Sequence, residues 1–193
     1  MVHAFQDERV VKVVEETTGL KEMIPDENLF AGGISLMARG NFLNPNLDNP
    51  HLDNSHDNDR ENSIVLNLLH YVTPDWNINN GGNLGLWDNG LGNPQRVIYS
   101  KFNRLVLMFT NKTSIHSVSK VCESGKRCCV SNYYFSAKPA EASEYFPVTS
   151  FYGRPEEPVK NILLRTYAFL RQTIIKIIGK RIIETKHIYK KLK

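Results

Sequence analysis

Two kinds of hydrophobic pattern divide the chain, and they predict different elements. Near the N-terminus, Val10, Val11 and Val14 recur at helical spacing between Asp7 and Thr18, and a glycine follows that can end the helix. Further along, short apolar runs separated by Gly, Asn and Pro predict strands joined by turns. The runs are ISLMA after Gly33, SIVLNLLHYV from Ser63, NLGLW after Gly82, and the segments 96–99, 104–110, 114–118 and 127–135.

Many short strands at close spacing favour an antiparallel sandwich or barrel over a parallel sheet. The predicted fold is therefore mainly β, a double-sheet jelly roll of the cupin type with flanking N- and C-terminal helices. A chain of 193 residues suits one domain, with the barrel at about 32–135, a helix at about 158–180 and a basic tail at 181–193. The Asn-, Asp- and Pro-rich stretch from Asn44 to Asp59 is predicted to be a long loop, which in a compact domain is often functional.

The C-terminal segment combines an apolar stripe with a strong positive charge. From Lys160 to Lys193 there are ten Lys and Arg residues and one Glu, a net charge of +9, whereas the whole chain carries +4. We predict a helix that packs on the outside of the barrel with its charges solvated; the alternative is contact with an anionic surface or a membrane surface. The stripe comprises Ile162, Leu163, Phe169, Leu170, Ile174, Ile177 and Ile178.

Composition limits the class of protein without identifying a function. Hydrophobic residues make up 41% of the chain and charged residues 23%, which are the proportions of an ordinary globular domain. No apolar run is long enough to cross a bilayer, and the first residues lack the pattern of a signal peptide. The three cysteines, Cys122, Cys128 and Cys129, fit neither a disulfide framework nor a zinc motif. We therefore expect a cytoplasmic protein without a clear nucleic-acid site.

A separated set of His, Asp and Arg residues carries the candidate chemistry. His51 and Asp53 form an H-x-D step in the polar stretch, and alternate residues of an extended segment point to the same side. His116 lies far downstream, and Arg127 follows it by eleven residues. Two imidazoles and one carboxylate on one face of a metal are typical of non-haem Fe(II) sites with open positions. The sequence therefore predicts that His51, Asp53 and His116 bind a metal.

A direct repeat offers a second place for the same ligands. The stretch contains NPNLD at Asn44–Asp48 and NPHLD at Asn49–Asp53, so that Asn46 in the first copy corresponds to His51 in the second. Because Asn is a poor iron ligand, we favour the second copy and interpret the first as an insertion. His56 is a weaker candidate, because an Asp follows it directly and the alternate spacing is missing.

Each of these residues also has an ordinary explanation. His51 and Asp53 are residue types that suit a turn in a polar loop. His116 suits a hydrogen-bonded position in the core, and Arg127 suits the end of a strand. The combination and the order of the residues favour the functional interpretation.

In that order, the motifs resemble those of the Fe(II)/2-oxoglutarate-dependent oxygenases, in particular the prolyl-4-hydroxylase-like branch. The similarity covers roughly residues 32–135 and implies a double-stranded β-helix, which is a form of jelly roll. The matching landmarks are H-x-D at His51 and Asp53, GG-x-L at 81–84, the strand 105–109, H-x-V at 116–118 and the basic residue Arg127.

The resemblance implies a set of cofactors and a reaction. Fe(II), 2-oxoglutarate and O2 are expected, with ascorbate as an additional reductant, and the products would be succinate, CO2 and a hydroxylated substrate. Arg127 would bind the far carboxylate of 2-oxoglutarate through two parallel hydrogen bonds. Ser131, on the same face of the predicted strand, would assist it. The substrate class, whether peptide, amino acid or glycan, stays open.

Two other functions compete with a hydroxylase. A degenerate jelly roll could act as a binding module that uses its basic tail, and a zinc-dependent hydrolase could use the same ligands. Arg127 and the GG-x-L motif favour the hydroxylase, because a hydrolase needs no cation for a co-substrate carboxylate.

Overall fold

The computed structural model describes residues 2–27, 29, 32–48, 63–137 and 150–178. In these residues two α-helices, α1 (Glu8–Thr18) and α2 (Pro158–Ile178), flank a set of strands, with short 3-10 helices at Val2–Gln6 and Ile78–Asn80. The strands are β1 (Ile24–Pro25), β2 (Gly33–Ala38), β3 (Leu43–Leu47), β4 (Ser63–Tyr71), β5 (Leu84–Leu86), β6 (Arg96–Ile98), β7 (Arg104–Phe109), β8 (His116–Val118), β9 (Lys126–Ser136) and β10 (Ser150–Phe151).

The strands form two antiparallel sheets. In the first sheet the order is β1-β9-β4-β7, and β2 also pairs with the long strand β9. In the second sheet the order is β10-β3-β8-β5-β6. Pairing between strands that are distant in sequence, such as β3 with β8, is typical of a jelly roll. The predicted mainly β fold with flanking helices is confirmed.

The outer face of the first sheet is covered by the N-terminal helix. Asp7 caps α1 by accepting a hydrogen bond from the backbone N–H of Arg9 at 2.9 Å, and Gly19 ends it in the left-handed conformation with φ of 75°. The hydroxyl of Tyr134 donates to the carbonyl of Phe5 at 2.6 Å and ties the N-terminal residues to β9. The buried cluster on this face comprises Phe5, Val14, Met23, Val65, Leu66, Leu68, Val130 and Tyr134.

One predicted loop is partly a strand. The stretch from Asn44 was predicted to be a loop because Asn, Asp and Pro are common in loops, yet Leu43–Leu47 forms β3. The register between β3 and β8 shifts between Leu43 and Asn46, and Pro45 lies within that irregularity. A proline is tolerated there because an irregular strand position does not require its missing N–H, and its carbonyl still accepts from Tyr152 N at 2.8 Å. Residues 49–59 of the predicted loop lie outside the described residues.

The C-terminal helix forms as predicted, but its packing differs from the prediction. Ile162, Leu163, Phe169, Leu170 and Ile174 were expected to face the barrel, and all five are exposed. Local sequence creates the helix, whereas contact with the barrel depends on its short attachment to β10. Among the described helices, none is both long enough and apolar enough to span a bilayer.

Candidate active site

The first part of the site lies where β3 and β8 pair in the second sheet. Asn46 is the register partner of His116, and the His116 side chain is buried at 6% exposure. Its Nδ1 is 3.1 Å from the carbonyl oxygen of Ser114, to which it donates, so that Nε2 carries a free lone pair. Oδ2 of Asp48 lies 3.7 Å from this Nε2. A carboxylate beside an imidazole lone pair is an arrangement that suits a shared cation.

Asn46 fills the position beside this pair with an amide. Its Nδ2 donates to Oδ1 of Asp48 at 3.1 Å and lies 3.5 Å from Nε2 of His116. Its Oδ1 is buried and has no hydrogen-bond partner within the described part of the chain. Asn46 therefore presents donor hydrogens, rather than an electron pair, to the carboxylate and the imidazole.

A tyrosine from the opposite sheet holds the Asp48 carboxylate. The Tyr133 hydroxyl on β9 donates to Oδ2 of Asp48 at 3.3 Å and accepts from Nδ2 of Asn67 at 3.0 Å. Burial raises the pKa of Tyr133 well above its usual value, and the nearby negative charge of Asp48 raises it further. The hydroxyl therefore keeps its proton and acts as a donor over the physiological pH range. This bridge between the sheets shows that the Asp48 and His116 side chains face the barrel interior.

The second part of the site is a buried guanidinium on β9. Arg127 is 4% exposed, and its Cζ lies 4.8 Å from the centroid of the Tyr71 ring. Its Nε donates to Oγ of Ser100 at 3.4 Å, and Nη1 lies 3.5 Å from the sulfur of Met37. Among the described residues no carboxylate forms an ion pair with Arg127. A buried cation without a paired anion is costly, so the position suits an anionic ligand.

Tyr71 adds a second buried polar group beside Arg127. Its hydroxyl forms no well-aligned hydrogen bond with the described residues, although Arg127 and Ser100 lie close to it. Burial raises the pKa of Tyr71, and the positive charge of Arg127 partly offsets that effect. A protonated hydroxyl and a guanidinium side by side can both donate to one carboxylate.

The Gly81-Gly82 motif makes room for this arrangement. A Cβ at Gly81 would clash with the carbonyl of Lys120, and a Cβ at Gly82 would lie 3.2 Å from Cγ of Arg127. The carbonyl of Gly82 accepts from the Ser100 hydroxyl, which in turn receives the hydrogen bond from Arg127. The motif thus positions Arg127 through both its missing side chains and its backbone.

The predicted residues fall into three groups. His116 and Arg127 both face the interior between the sheets, since Arg127 shares the alternation of β9 with Tyr133. Ser131 shares that alternation, but its hydroxyl lies 3.4 Å from the Gly33 carbonyl on β2, and its role beside Arg127 stays a prediction. His51 and Asp53 lie outside the described residues, as does the weaker candidate His56.

Four residues that shape the site were not predicted from the sequence. Tyr71, Ser100, Asn67 and Tyr133 contact the groups described above. Alternation from Arg127 could have placed Tyr133 on the interior face of β9. Ser100 and Tyr71 come close to Arg127 only through the fold, so no local pattern could have identified them.

The described residues fit the implied ligands to different degrees. For 2-oxoglutarate, the paired donors of Arg127 and Tyr71 fit a buried carboxylate. For a metal ion, Asp48 and His116 supply two ligands, but within the described ranges no group of three His, Cys, Asp or Glu side chains could hold one ion. The third ligand of a two-histidine, one-carboxylate site is therefore not among them.

Comparison with known proteins identifies the family of the central region. Residues 40–135 match the model of the 2OG-Fe(II) oxygenase superfamily. This range contains β3 to β8, most of β9, and all of the groups described above except Gly33 and Met37. No curated protein matches the sequence.

Two solved structures show a similar fold at low sequence identity. An oxidoreductase of the 2OG-Fe(II) oxygenase family from Burkholderia pseudomallei is 16% identical, with a TM-score of 0.50 over 72% of this chain and 55% of its own. A prolyl 4-hydroxylase from Phytophthora capsici is also 16% identical, with a TM-score of 0.51 over 88% of this chain and 51% of its own. The chain thus spans about half the length of these two proteins. Both agree with the jelly-roll fold that the motifs predicted.

Proposed function

We propose that this chain, which belongs to the 2OG-Fe(II) oxygenase superfamily, is a 2-oxoglutarate-dependent dioxygenase that hydroxylates an unactivated C–H bond. The observation that carries the proposal is the buried Arg127, which has no carboxylate partner in the described part of the chain and lies beside the buried hydroxyl of Tyr71. A binding module or a hydrolase has no need for this anion site. A dioxygenase that consumes a dicarboxylate does.

Arg127 and Tyr71 would bind the far carboxylate of 2-oxoglutarate. The guanidinium offers two parallel donors, and the Tyr71 hydroxyl offers a third. Ser100 holds Nε of Arg127, so the orientation of the guanidinium is fixed before the ligand arrives. Ser131 remains a further candidate for the same carboxylate.

His116 and a carboxylate from the repeat would hold Fe(II). The geometry supports Asp48 as that carboxylate, because it lies 3.7 Å from His116 and is oriented by Tyr133. The missing imidazole would come from His51, the only His in the two repeat copies. The sequence predicted a different ligand set, which is His51 with Asp53 and His116. That set requires the second copy, Asn49–Asp53, to occupy the position in β3 that the first copy occupies in this structure.

Fe(II) with 2-oxoglutarate and O2 supplies the oxidising power for C–H hydroxylation, with succinate and CO2 as products and ascorbate as an additional reductant. The chain's own residues orient the ligands and exclude water. His116 donates Nδ1–H to a backbone carbonyl, which fixes its tautomer and directs Nε2 to the interior. The Tyr133 hydroxyl donates a hydrogen bond to Oδ2 of Asp48 and so holds that oxygen in place. Because the pKa of Tyr133 is raised, the hydroxyl stays protonated at neutral pH.

The substrate would be a peptide, an amino acid or a glycan. The residues of the described site recognise the co-substrate, so they do not discriminate among these classes. A prolyl peptide is a reasonable first substrate to test, because the motifs resemble the prolyl-4-hydroxylase-like branch.

An anaerobic titration with Fe(II) and 2-oxoglutarate tests the proposal. We expect a weak visible charge-transfer band when both are bound, and succinate after O2 is admitted. Arg127→Met should lose the band at 2-oxoglutarate concentrations that saturate the wild-type chain. A folded protein that gives neither band nor succinate would refute the oxygenase and favour the binding module.

A further inference from the structure

Helix α2 contacts the barrel through its less apolar side. Asn161 and Leu164 are half-buried, and Gly153 lies so close to Asn161 that a Cβ there would clash with the helix backbone. Nζ of Lys160 pairs with Glu157 at 3.0 Å and lies 5.7 Å from the centroid of the Phe42 ring. These contacts attach the first turns of the helix to the second sheet.

The opposite side of α2 is an exposed apolar stripe. Its central residues follow one another at spacings of four, four, three and four, so they lie on one side of the helix. At 1.5 Å per residue the stripe is about 22 Å long. Ile162 and Phe169 flank these central residues, and all seven side chains are between 44% and 71% exposed. The central residues are Val159, Leu163, Tyr167, Leu170 and Ile174.

This orientation is the reverse of that of an ordinary surface helix, which buries its apolar side. Seven large apolar side chains on one side of a helix form a continuous exposed patch. Single exposed apolar residues are normal on a protein surface, but a patch of this kind is not. The patch therefore needs a partner outside the described residues.

The charge of the segment restricts that partner. No Asp or Glu occurs from Pro158 to Ile178, and the chain from Lys160 to its last residue carries a net charge of +9. Arg165 lies in the part of the helix that bears the stripe, and the charge of Lys160 is paired with that of Glu157. A second copy of the helix would bring like charges together, so electrostatic repulsion disfavours a dimer through this stripe. An anionic partner with an apolar layer satisfies both features.

We propose that α2 binds to the surface of an anionic lipid membrane. The stripe would lie at the boundary between headgroups and acyl chains, with the axis of the helix parallel to the surface, while the basic side chains contact anionic headgroups. Nucleic acid offers the negative charge but no apolar layer for the stripe. This membrane surface is independent of the oxygenase reaction, which would take place in the barrel attached to it.

Flotation of the full chain with lipid vesicles tests the proposal. Vesicles of phosphatidylcholine with phosphatidylglycerol should carry the wild-type protein upward, and vesicles of phosphatidylcholine alone should carry far less. The paired change Leu163→Gln and Leu170→Gln should lower the ratio of bound to free protein about tenfold or more, because it removes apolar area from the stripe. High salt should weaken the binding of the wild-type chain.

A matched control removes the same kind of side chain from the barrel. Ile34 and Leu36 on β2 are 66% and 55% exposed, close to the 66% and 53% of Leu163 and Leu170. The pair Ile34→Gln and Leu36→Gln should float as the wild type does, and circular dichroism should show that both double variants keep their secondary structure.

Three results would overturn the proposal. The first is the absence of flotation with anionic vesicles, and the second is equal flotation with neutral vesicles. The third is a concentration-dependent dimer of the wild-type chain that the Gln pair at 163 and 170 abolishes, since that would identify a second copy as the partner.

Discussion

The two ends of the candidate site differ in how completely the described residues build them. At the anion end, Arg127 is held by Ser100, packs on Tyr71 and leaves its remaining donors for a ligand. At the metal end, Asp48 and His116 converge, but the third position is filled by the amide of Asn46. The comparison teaches that the described residues build the proposed anion site by themselves, whereas the proposed metal site depends on which copy of the repeat supplies the ligands.

The repeat explains why packing alone does not favour one copy. The buried positions of β3 are Pro45, Asn46 and Leu47, and the second copy has the same residues, Pro and Leu, at the places of the two apolar ones. The copies differ only at their third residue, Asn46 or His51. Either copy therefore provides the same apolar contacts, and the choice between them is a matter of ligand chemistry.

The largest expected effect is at His116. His116→Ala removes the imidazole at the metal end, and we expect Fe(II) affinity to fall about 100-fold or more. Loss of a residue that only hydrogen-bonds to a metal ligand often lowers metal affinity roughly 10–100-fold, so loss of the ligand itself should cost at least as much. Anaerobic Fe(II) binding to the purified chain measures it. His70→Ala is the matched control, because His70 contacts Asn103 at the surface and should leave affinity unchanged. Retention of wild-type affinity without His116 would exclude it as a ligand.

Deletion of one repeat copy should decide between the two sets of ligands. Removal of Asn49–Asp53 eliminates His51, and we expect Fe(II) binding and succinate formation to fall at least about tenfold. Adding Asn46→His to that deletion recreates the sequence NPHLD in β3 and should restore both. Removal of Asn44–Asp48 yields the same final sequence as the restored variant, so it should also be active.

One outcome of these deletions would contradict the proposed role of His51 at the metal. If the chain without Asn49–Asp53 binds Fe(II) as the wild type does, then Asp48, His116 and the Asn46 amide suffice, and His51 has no role at the metal. Asp48→Ala in the full chain adds a second criterion. It should lower affinity if Asp48 is the ligand and leave affinity unchanged if Asp53 is.

An effect no larger than that of His116→Ala is expected at the anion end. Arg127→Met keeps the length and apolar contacts of the side chain but removes its charge, so we expect 2-oxoglutarate affinity to fall about 100-fold while Fe(II) still binds. Titration of the charge-transfer band measures it. Arg96→Met is the control, because Arg96 pairs with Asp88 at the surface at 3.1 Å. Unchanged affinity without Arg127 would reject the anion site.

The sequence predicted much of this molecule and failed where contacts are distant. Hydrophobic runs predicted the strands from β4 to β9 because a strand leaves a local pattern. The order of motifs selected His116 and Arg127, and the fold buries both of them, while their roles stay predictions. Composition misassigned β3, since Asn and Pro are tolerated at its irregular pairing with β8. Ser100 and Tyr71 escaped notice because only the fold brings them to Arg127. The apolar stripe of α2 was predicted, but its exposure was not the favoured expectation, because a helix pattern does not tell which side faces the barrel.

The smallest expected effect is that of Tyr71→Phe. This change tests whether the Tyr71 hydroxyl binds the ligand or stabilises the fold. Tyr71→Phe removes a buried hydroxyl that forms no well-aligned hydrogen bond with the described residues, so the stability of the free protein should stay the same or rise. Affinity for 2-oxoglutarate should fall about fivefold, which corresponds to about 1 kcal/mol for one hydrogen bond.

Tyr134→Phe is the matched control with the opposite profile. Its hydroxyl donates to Phe5 at 2.6 Å, so its loss should lower the free energy of unfolding by about 1 kcal/mol and leave 2-oxoglutarate affinity unchanged. Denaturant unfolding and the charge-transfer titration, run on both variants, measure the two quantities. If Tyr71→Phe instead destabilises the chain and binds 2-oxoglutarate normally, its hydroxyl belongs to the fold, and Arg127 alone defines the anion end.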